Sequence, residues 1–287
     1  MNIDPIKLII GTALGCIIAL AARKARALNR LGMWAAAGLG AVIMGLGGFG
    51  WAVLLMGFFI SSSILSRLFK RQKANLSEKY SKGNERDAGQ VLANGGVAGA
   101  AVLLLFVFPP QSSGTLGLLP WLACAAALAA ANADTWATEL GALSPKPPRL
   151  ITNLKLVERG TSGGVTLTGT AAALAGSAFI ALLAVLFRPN DIPQVGLSAA
   201  ADFSLAAEFL LITLAGLLGS LVDSLLGATV QAIYWCPRCQ KETEKHPRHT
   251  CGSDTILFRG FSWLDNDWVN TLCTLSSAVL VLLIILL

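Results

Sequence analysis

Charge is scarce in this sequence. Asp, Glu, Lys and Arg make up 13% of its 287 residues, and hydrophobic residues make up 54%. A water-soluble domain usually carries about a quarter of its residues as charges. With a mean hydropathy of +0.65, the shortage excludes a soluble single-domain enzyme, and with it disordered and fibrous chains. Other absences narrow the reading. Met1–Lys7 carries one basic residue, and no small-residue cleavage site follows the first apolar run, so that run is read as a membrane helix and not a signal peptide. There is no HExxH motif, no glycine loop ending in GKS or GKT, and no internal repeat. These absences argue against a catalytic zinc site, a Walker A loop and a transporter built from duplicated halves.

What the chain does contain is apolar runs of bilayer-spanning length. They fall near 6–22, 31–48, 50–67, 90–109, 116–132, 164–187, 203–230 and 268–287, against the roughly 17–25 residues that a spanning helix needs. The second and third meet at Gly47, Gly48 and Gly50, which predicts a tight hairpin. The fifth and seventh run into ionisable residues at their C-terminal ends, as expected where a helix is broken or lines a cavity. Eight spans place 20 of the 22 basic residues on one side, in segments 22–30, 67–89, 133–163 and 231–267. Only Lys7 and Arg188 fall on the other. Basic loops stay cytoplasmic, so both termini are expected outside, and the net charge of +6 reflects orientation and not a nucleic-acid partner.

The polar chemistry gathers on the same side. Asn132, Asp134, Thr135 and Glu139 follow an alanine-rich run; in a continuing helix Asn132, Thr135 and Glu139 share a face. A helix cap would account for one of them. Ionisable groups near bilayer depth must be compensated and are functional by default. Gly160, Thr161, Ser162, Gly163 and Gly164 precede an apolar run, with Lys155 and Arg159 upstream. Such a turn at a helix start presents N–H groups and a positive dipole end, which suits a phosphate; the alternative is a flexible loop with an ordinary cap. Asp223 stands in an apolar run with Ser220 and Gly227 on its face, and a Mg²⁺ ligand is favoured there over a lone structural acid. Asn266, Asp267 and Asn270 open the last span, and Asn94 stands near the start of the fourth. For both, capping is the competing explanation.

Three of the six cysteines, Cys16, Cys124 and Cys273, lie in apolar runs as small buried hydrophobes. Cys236, Cys239 and Cys251 share one polar loop with His246 and His249. A CxxC turn followed by HxC supplies the four N/S ligands of a structural zinc, and a loop on the reducing side favours metal over disulfide. Cys236, Cys239, His249 and Cys251 are the expected ligands, with His246 the rival.

Six ordered motifs carry a family resemblance: Gln90–Gly96, Ala133–Gly141, Pro148–Thr152, Gly160–Val165, Gly219–Ala228 and Asn266–Asn270. Through them the chain resembles the DUF92 family of multi-pass membrane proteins, which includes phytyl phosphate kinases and the transmembrane protein 19 group. The resemblance implies phosphoryl transfer to a prenyl monophosphate such as phytyl phosphate, giving the diphosphate for tocopherol and quinone synthesis. A further similarity to CTP-dependent polyprenol and phytol kinases implies CTP as donor, possessing its usual Mg²⁺. Asp134, Glu139, Asp223 and Asp267 are the expected catalytic carboxylates, with Asp134, Asp223 and Asp267 on Mg²⁺. The expected substrate contacts are Asn94, Asn132, Lys155, Arg159, Gly160, Thr161, Ser162, Gly163, Gly164, Ser220, Asn266 and Asn270. A nucleotidyl transferase making a CDP-activated lipid and a transporter of an isoprenoid or anionic solute are the alternatives. The expected architecture is an all-α polytopic membrane protein: one membrane domain over 1–287, about eight transmembrane helices, and a small zinc-knuckle-like cytoplasmic loop at 231–267. Its partners are the bilayer, a prenyl phosphate and a nucleoside triphosphate, with homo-oligomerisation left open.

Overall fold

A computed structural model describes residues 4–69, 85–112, 114–192, 196–198, 201–202 and 204–287. The basic residues Lys70, Arg71, Lys73, Lys79 and Lys82 lie outside these. The protein is an all-α polytopic membrane protein whose described residues include eight helices long and apolar enough to span a bilayer. They are α1 (Pro5–Lys24), α2 (Arg30–Val42, continued by a π-helical turn Ile43–Gly47), α3 (Phe49–Leu68), α4 (Ala88–Leu103), α5 (Leu119–Gly141), α6 (Leu167–Leu186), α7 (Leu205–Thr229) and α8 (Asn266–Leu286). Between them lie short antiparallel pairs β1 (Arg149–Leu150) with β2 (Gly164–Val165) and β3 (Gly196–Ser198) with β4 (Ala201–Asp202). A three-stranded antiparallel sheet follows, of β5 (Ile233–Cys236), β6 (Lys241–Thr243) and β7 (Ile256–Arg259), with β5 in the centre.

Helix α5 is the axis. Its run from Leu119 to Ala133 is buried throughout, and it packs against α3, α4, α6, α7 and α8. Alanine explains this: short side chains on every face let five neighbours approach one helix, the small-residue packing that serves where lipid supplies no hydrophobic drive between helices. Helices α1 and α2 pack mainly on each other, and α2 joins the body through α4. Gly48, at φ +86°, makes the expected hairpin between α2 and α3, a left-handed conformation that favours glycine.

The fifth and seventh apolar runs are unbroken helices. Helix α5 continues past residue 132 to Gly141, carrying Asp134 and Glu139 on helical backbone. Alternate helices run in opposite directions, so the C-terminal ends of α1, α3, α5 and α7 gather at one end with the N-terminal ends of α2, α4, α6 and α8. That end, bearing the basic loops, is called the basic end below.

Candidate active site

At the basic end a cavity of about 1140 Å³ opens among α3 to α8, the glycine turn and the three-stranded sheet. Its construction begins with glycine. A Cβ at Gly216 would lie 2.8 Å from the Ala129 side chain, and one at Gly219 2.8 Å from that of Ala130. Glycine at both positions lets α7 come against α5. Further along the same two helices, Asp223 and Asp134 bring their carboxyl groups together. Both line the cavity, and Asp223 Oδ2 is buried with no protein hydrogen-bond partner. Two adjoining carboxylates repel unless a positive charge or a proton lies with them, and this pair has the oxygen donors that Mg²⁺ uses. Glu244 also bears electrostatically on Asp223.

The rest of the wall is mixed in charge. Arg26, Arg67, Arg86, Lys146, Arg159 and Lys245 line it together with Asp134, Glu139, Asp223 and Glu244. Arg86 is placed by backbone pairing, since its N–H donates to the Ala27 carbonyl (3.0 Å) and its carbonyl accepts from Asn29 N–H (3.0 Å). Its guanidinium lies over the rings of Phe58 and Phe59, 5.4 and 5.7 Å from their centroids. Burial lowers its pKa to about 10, partly countered by Glu139, so it stays charged at neutral pH. Glu139 is buried and accepts from Ser66 Oγ at 2.8 Å.

Three helix N-termini also border the cavity. Gln90 and Asn94 of α4, Thr166 and Thr170 of α6, and Asn266 and Asn270 of α8 all line it. The caps are Asp87, Thr166 and Asp265. Positive dipole ends and basic side chains around a carboxylate pair form an arrangement suited to phosphates and a divalent cation together.

The glycine turn differs from the expected helix start. Gly164 enters strand β2, and α6 begins afterwards under the Thr166 cap. Gly160 to Gly164 face the cavity as a loop, not as the helix terminus itself. Gly163 has φ +81°, and a Cβ there would meet the backbone of Ala228, so the turn packs directly on the end of α7. Ser162 Oγ donates to Gln231 Oε1 (2.7 Å), and Gln231 Nε2 donates to Glu244 Oε1 (3.0 Å). Arg259 Nη1 donates to the Gly227 carbonyl (2.8 Å). These bonds tie the turn, α7 and the sheet into one wall.

Of the residues singled out in the sequence, Asn94, Asp134, Glu139, Arg159, Gly160 to Gly164, Ser220, Asp223, Asn266 and Asn270 line the cavity. Asn132, Lys155 and Asp267 lie off its wall. Asn132 is fully buried, accepting from Ser61 Oγ (2.9 Å) and donating to the Gly176 carbonyl (2.8 Å), and so joins α3, α5 and α6. Lys155 is exposed. Asp267 follows Asp265, whose side chain accepts from Asp267 N–H and caps α8. Arg86, Glu244 and Lys245 also line the cavity, though motif reading did not single them out. Arg86 and Lys245 had only a loop-charge signal, and Glu244 had none.

Cys236, Cys239, His249 and Cys251 form a compact cluster on the sheet, with one ligand atom from each, all within 4.8 Å of one another. Cys236 Sγ lies 3.5 Å from Cys251 Sγ, and His249 Nδ1 lies 3.5 and 3.3 Å from the sulfurs of Cys239 and Cys251. Zinc–sulfur bonds of about 2.3 Å span tetrahedron edges of roughly 3.8 Å, so a small contraction or expansion suffices for a metal. His246 instead stacks on Tyr234, ring centroids 4.3 Å apart. The hydrogen bond from His249 lowers the Cys251 pKa to about 6, while neighbouring Cys251 and burial raise Cys239 to about 11. The segment is thus a small β-sheet, where a zinc-knuckle-like loop had been expected.

The family model for "Integral membrane protein DUF92" matches residues 13–278. Protein PGR of Arabidopsis thaliana is 34% identical over 248 residues, which cover 81% of each chain. Uncharacterized membrane protein MJ0933 of Methanocaldococcus jannaschii is 32% identical over 226 residues, 78% of this chain and 83% of its own length. Protein VTE6, chloroplastic, also of Arabidopsis thaliana, is 28% identical over 151 residues, 52% of this chain and 34% of its own. No solved structure matches.

Proposed function

The chain belongs to the DUF92 family of integral membrane proteins, and from that premise we propose that it transfers a phosphoryl group from CTP, or another nucleoside triphosphate, to a prenyl monophosphate such as phytyl phosphate. The observation that carries the proposal is the Asp134–Asp223 carboxylate pair, set among six basic side chains in one cavity at the basic end. Phosphoryl transfer is achieved chiefly by positioning and electrostatic stabilisation. The carboxylate pair would hold Mg²⁺, and the unpartnered Asp223 Oδ2 is the donor atom that fits it. When bound, the ion neutralises charge on the donor phosphates. Arg86, Arg159, Lys146 and the glycine turn receive the two phosphate groups, while Ser162, Gln231 and Glu244 hold the turn against α7. An acceptor monophosphate is already an oxyanion, so no strong general base is required of Glu139, which supports Arg86.

The charge partition of the loops supports a cytoplasmic basic end, where nucleotide is available. The Cys₃His cluster would hold one structural zinc. Its contribution is indirect: it fixes the sheet from which Glu244 and Lys245 reach the cavity.

The test uses purified protein in lipid nanodiscs with Mg²⁺, each labelled triphosphate and a panel of prenyl monophosphates. Prenyl diphosphate and nucleoside diphosphate should appear together. Release of pyrophosphate with a CMP-linked lipid would replace the kinase reading by nucleotidyl transfer. No conversion with any pair would reject both.

A further inference from the structure

A second cavity meets the first. It is a narrow, largely apolar groove enclosed by α1, α2, α3 and α4, and Arg86, Gln90 and Asn94 border both cavities. These three polar residues stand at the junction, and away from them the groove wall becomes hydrocarbon, from Ala19, Ala36, Met44, Leu55 and Phe59 among others. The groove also extends well into the membrane. On α3 its wall reaches Leu55, while the helix ends at Leu68 at the basic end; that separation is about 20 Å at the helical rise. On α2 the wall reaches Met44, a similar distance from Arg30.

Resting on the phosphoryl-transfer reading above, we infer that the groove between α1–α2 and α3–α4 holds the hydrocarbon tail of the acceptor, with its phosphate at Arg86, Gln90 and Asn94. Continuity decides the occupant. A chain whose charged head sits in the cavity finds at the junction an apolar wall that shares Arg86, Gln90 and Asn94 with it. Bulk phospholipid, with two tails and a large headgroup, matches the narrow groove less well than a single chain. The packing of α1 on α2 explains why the groove remains narrow: Gly15 and Gly40 hold the two backbones close, with a Gly40 Cβ only 3.2 Å from Gly15 Cα. The deep end then measures tail length, and Met44 and Leu55 are the residues that set it.

Two measurements test this on the full-length protein in nanodiscs. A prenyl monophosphate with a diazirine near its tail end is photolysed on the protein, and the adduct is mapped by peptide mass spectrometry. Adducts on α1, α2 or α3 within the groove, displaced by phytyl phosphate but not by phosphatidylethanolamine, are expected. Equal displacement by phosphatidylethanolamine, or adducts confined to other helices, would overturn the assignment. The second measurement compares Met44→Trp and Leu55→Trp with wild type on geranyl, farnesyl and phytyl phosphates. Shortening the groove should raise the geranyl-over-phytyl ratio of kcat/KM about tenfold or more, as loss of room for even one methylene can do. An unchanged ratio in correctly folded variants would overturn it too. Groove labelling by a probe that the protein does not turn over would retire the phosphoryl-transfer reading and keep the tail site. Turnover with adducts elsewhere would do the reverse.

Discussion

Replacing Asp223 by Asn separates a metal-binding carboxylate from a packing residue, because the two roles predict opposite changes in stability. Asp223 adjoins Asp134 and feels Glu244. Two unit charges about 4 Å apart repel by about 4 kcal/mol at an effective dielectric near 20, which sets a ceiling on the strain relieved by neutralising one. Asp223→Asn should therefore melt no lower than wild type without metal, and its Tm should rise if the pair is ionised. Activity should move the other way. Losing one strong electrostatic contact to a transition state costs about 10²–10³-fold in rate. The half-saturating Mg²⁺ concentration should rise as well, since one ligand of the ion is gone. Asp134→Asn should behave alike, and the double variant should lose little more than either single one, because the two carboxylates serve one ion and residues acting as a unit are strongly non-additive. The assay is initial-rate prenyl diphosphate formation across a Mg²⁺ titration, with a melting curve on each preparation. Wild-type turnover in Asp223→Asn, a lowered Tm without metal, or multiplicative losses in the double variant would refute the shared-ion account.

Metal analysis should give about one zinc per chain, the stoichiometry of a four-ligand site; Cys239→Ser and His249→Ala should abolish it, and His246→Ala should not. Retention of zinc in Cys239→Ser would remove the site as drawn. Asn153→Cys should resist an impermeant thiol reagent applied to intact cells while Asp191→Cys reacts, each judged against the background of the native cysteines; the reverse pattern would invert the topology. Arg159→Ala should lower the transfer rate about tenfold to a hundredfold, as for loss of one hydrogen bond to a charged group, whereas Lys155→Ala, off the cavity wall, should stay near wild type. Equal losses from the two would mean that loop charge, not position on the cavity wall, sets the rate.

The helices were legible in the sequence because bilayer thickness imposes one length on all of them, and that constraint is written locally. The candidate carboxylates were legible for a related reason: an acid such as Asp223 inside an apolar run calls for compensation wherever the chain folds. What the sequence concealed was which polar groups face inward. Asn132 and Asp134 are two residues apart, yet helical geometry turns one into the α3–α6 contact and the other into the cavity. Lys155 and Arg159 are four apart in one loop and both exposed; only Arg159 borders the cavity, held by the carbonyls of Ala142 (3.1 Å) and Pro145 (3.2 Å). The glycine turn illustrates a different limit. Its residues signalled a phosphate-suited turn at a helix start, but not that Gly163 meets Ala228 of α7, across more than sixty positions of sequence. Arg86 was hidden among other loop charges, and its role comes from pairing with Ala27 and Asn29, which no local pattern encodes.

The two ends of the bundle differ in a way that bears on function. At the basic end, acids and bases border an open cavity. At the other, Glu208 of α7 is fully buried, accepting from Trp121 Nε1 of α5 at 2.9 Å and pairing with Arg188, just after α6, at 2.8 Å. The Arg188 side chain is itself only 7% exposed. Breaking such a pair by withdrawing one member leaves an uncompensated buried charge, at a cost of about 3–5 kcal/mol. A carrier that opened to both sides would have to separate α5 from α7 at this lock, or carry it along intact, in every cycle. An enzyme needs neither motion: its nucleotide and its lipid phosphate can both reach a cavity at one end, the lipid arriving sideways with its tail still in the membrane. The asymmetry between a closed polar lock and an open charged cavity therefore favours chemistry on one face of the membrane over passage through it.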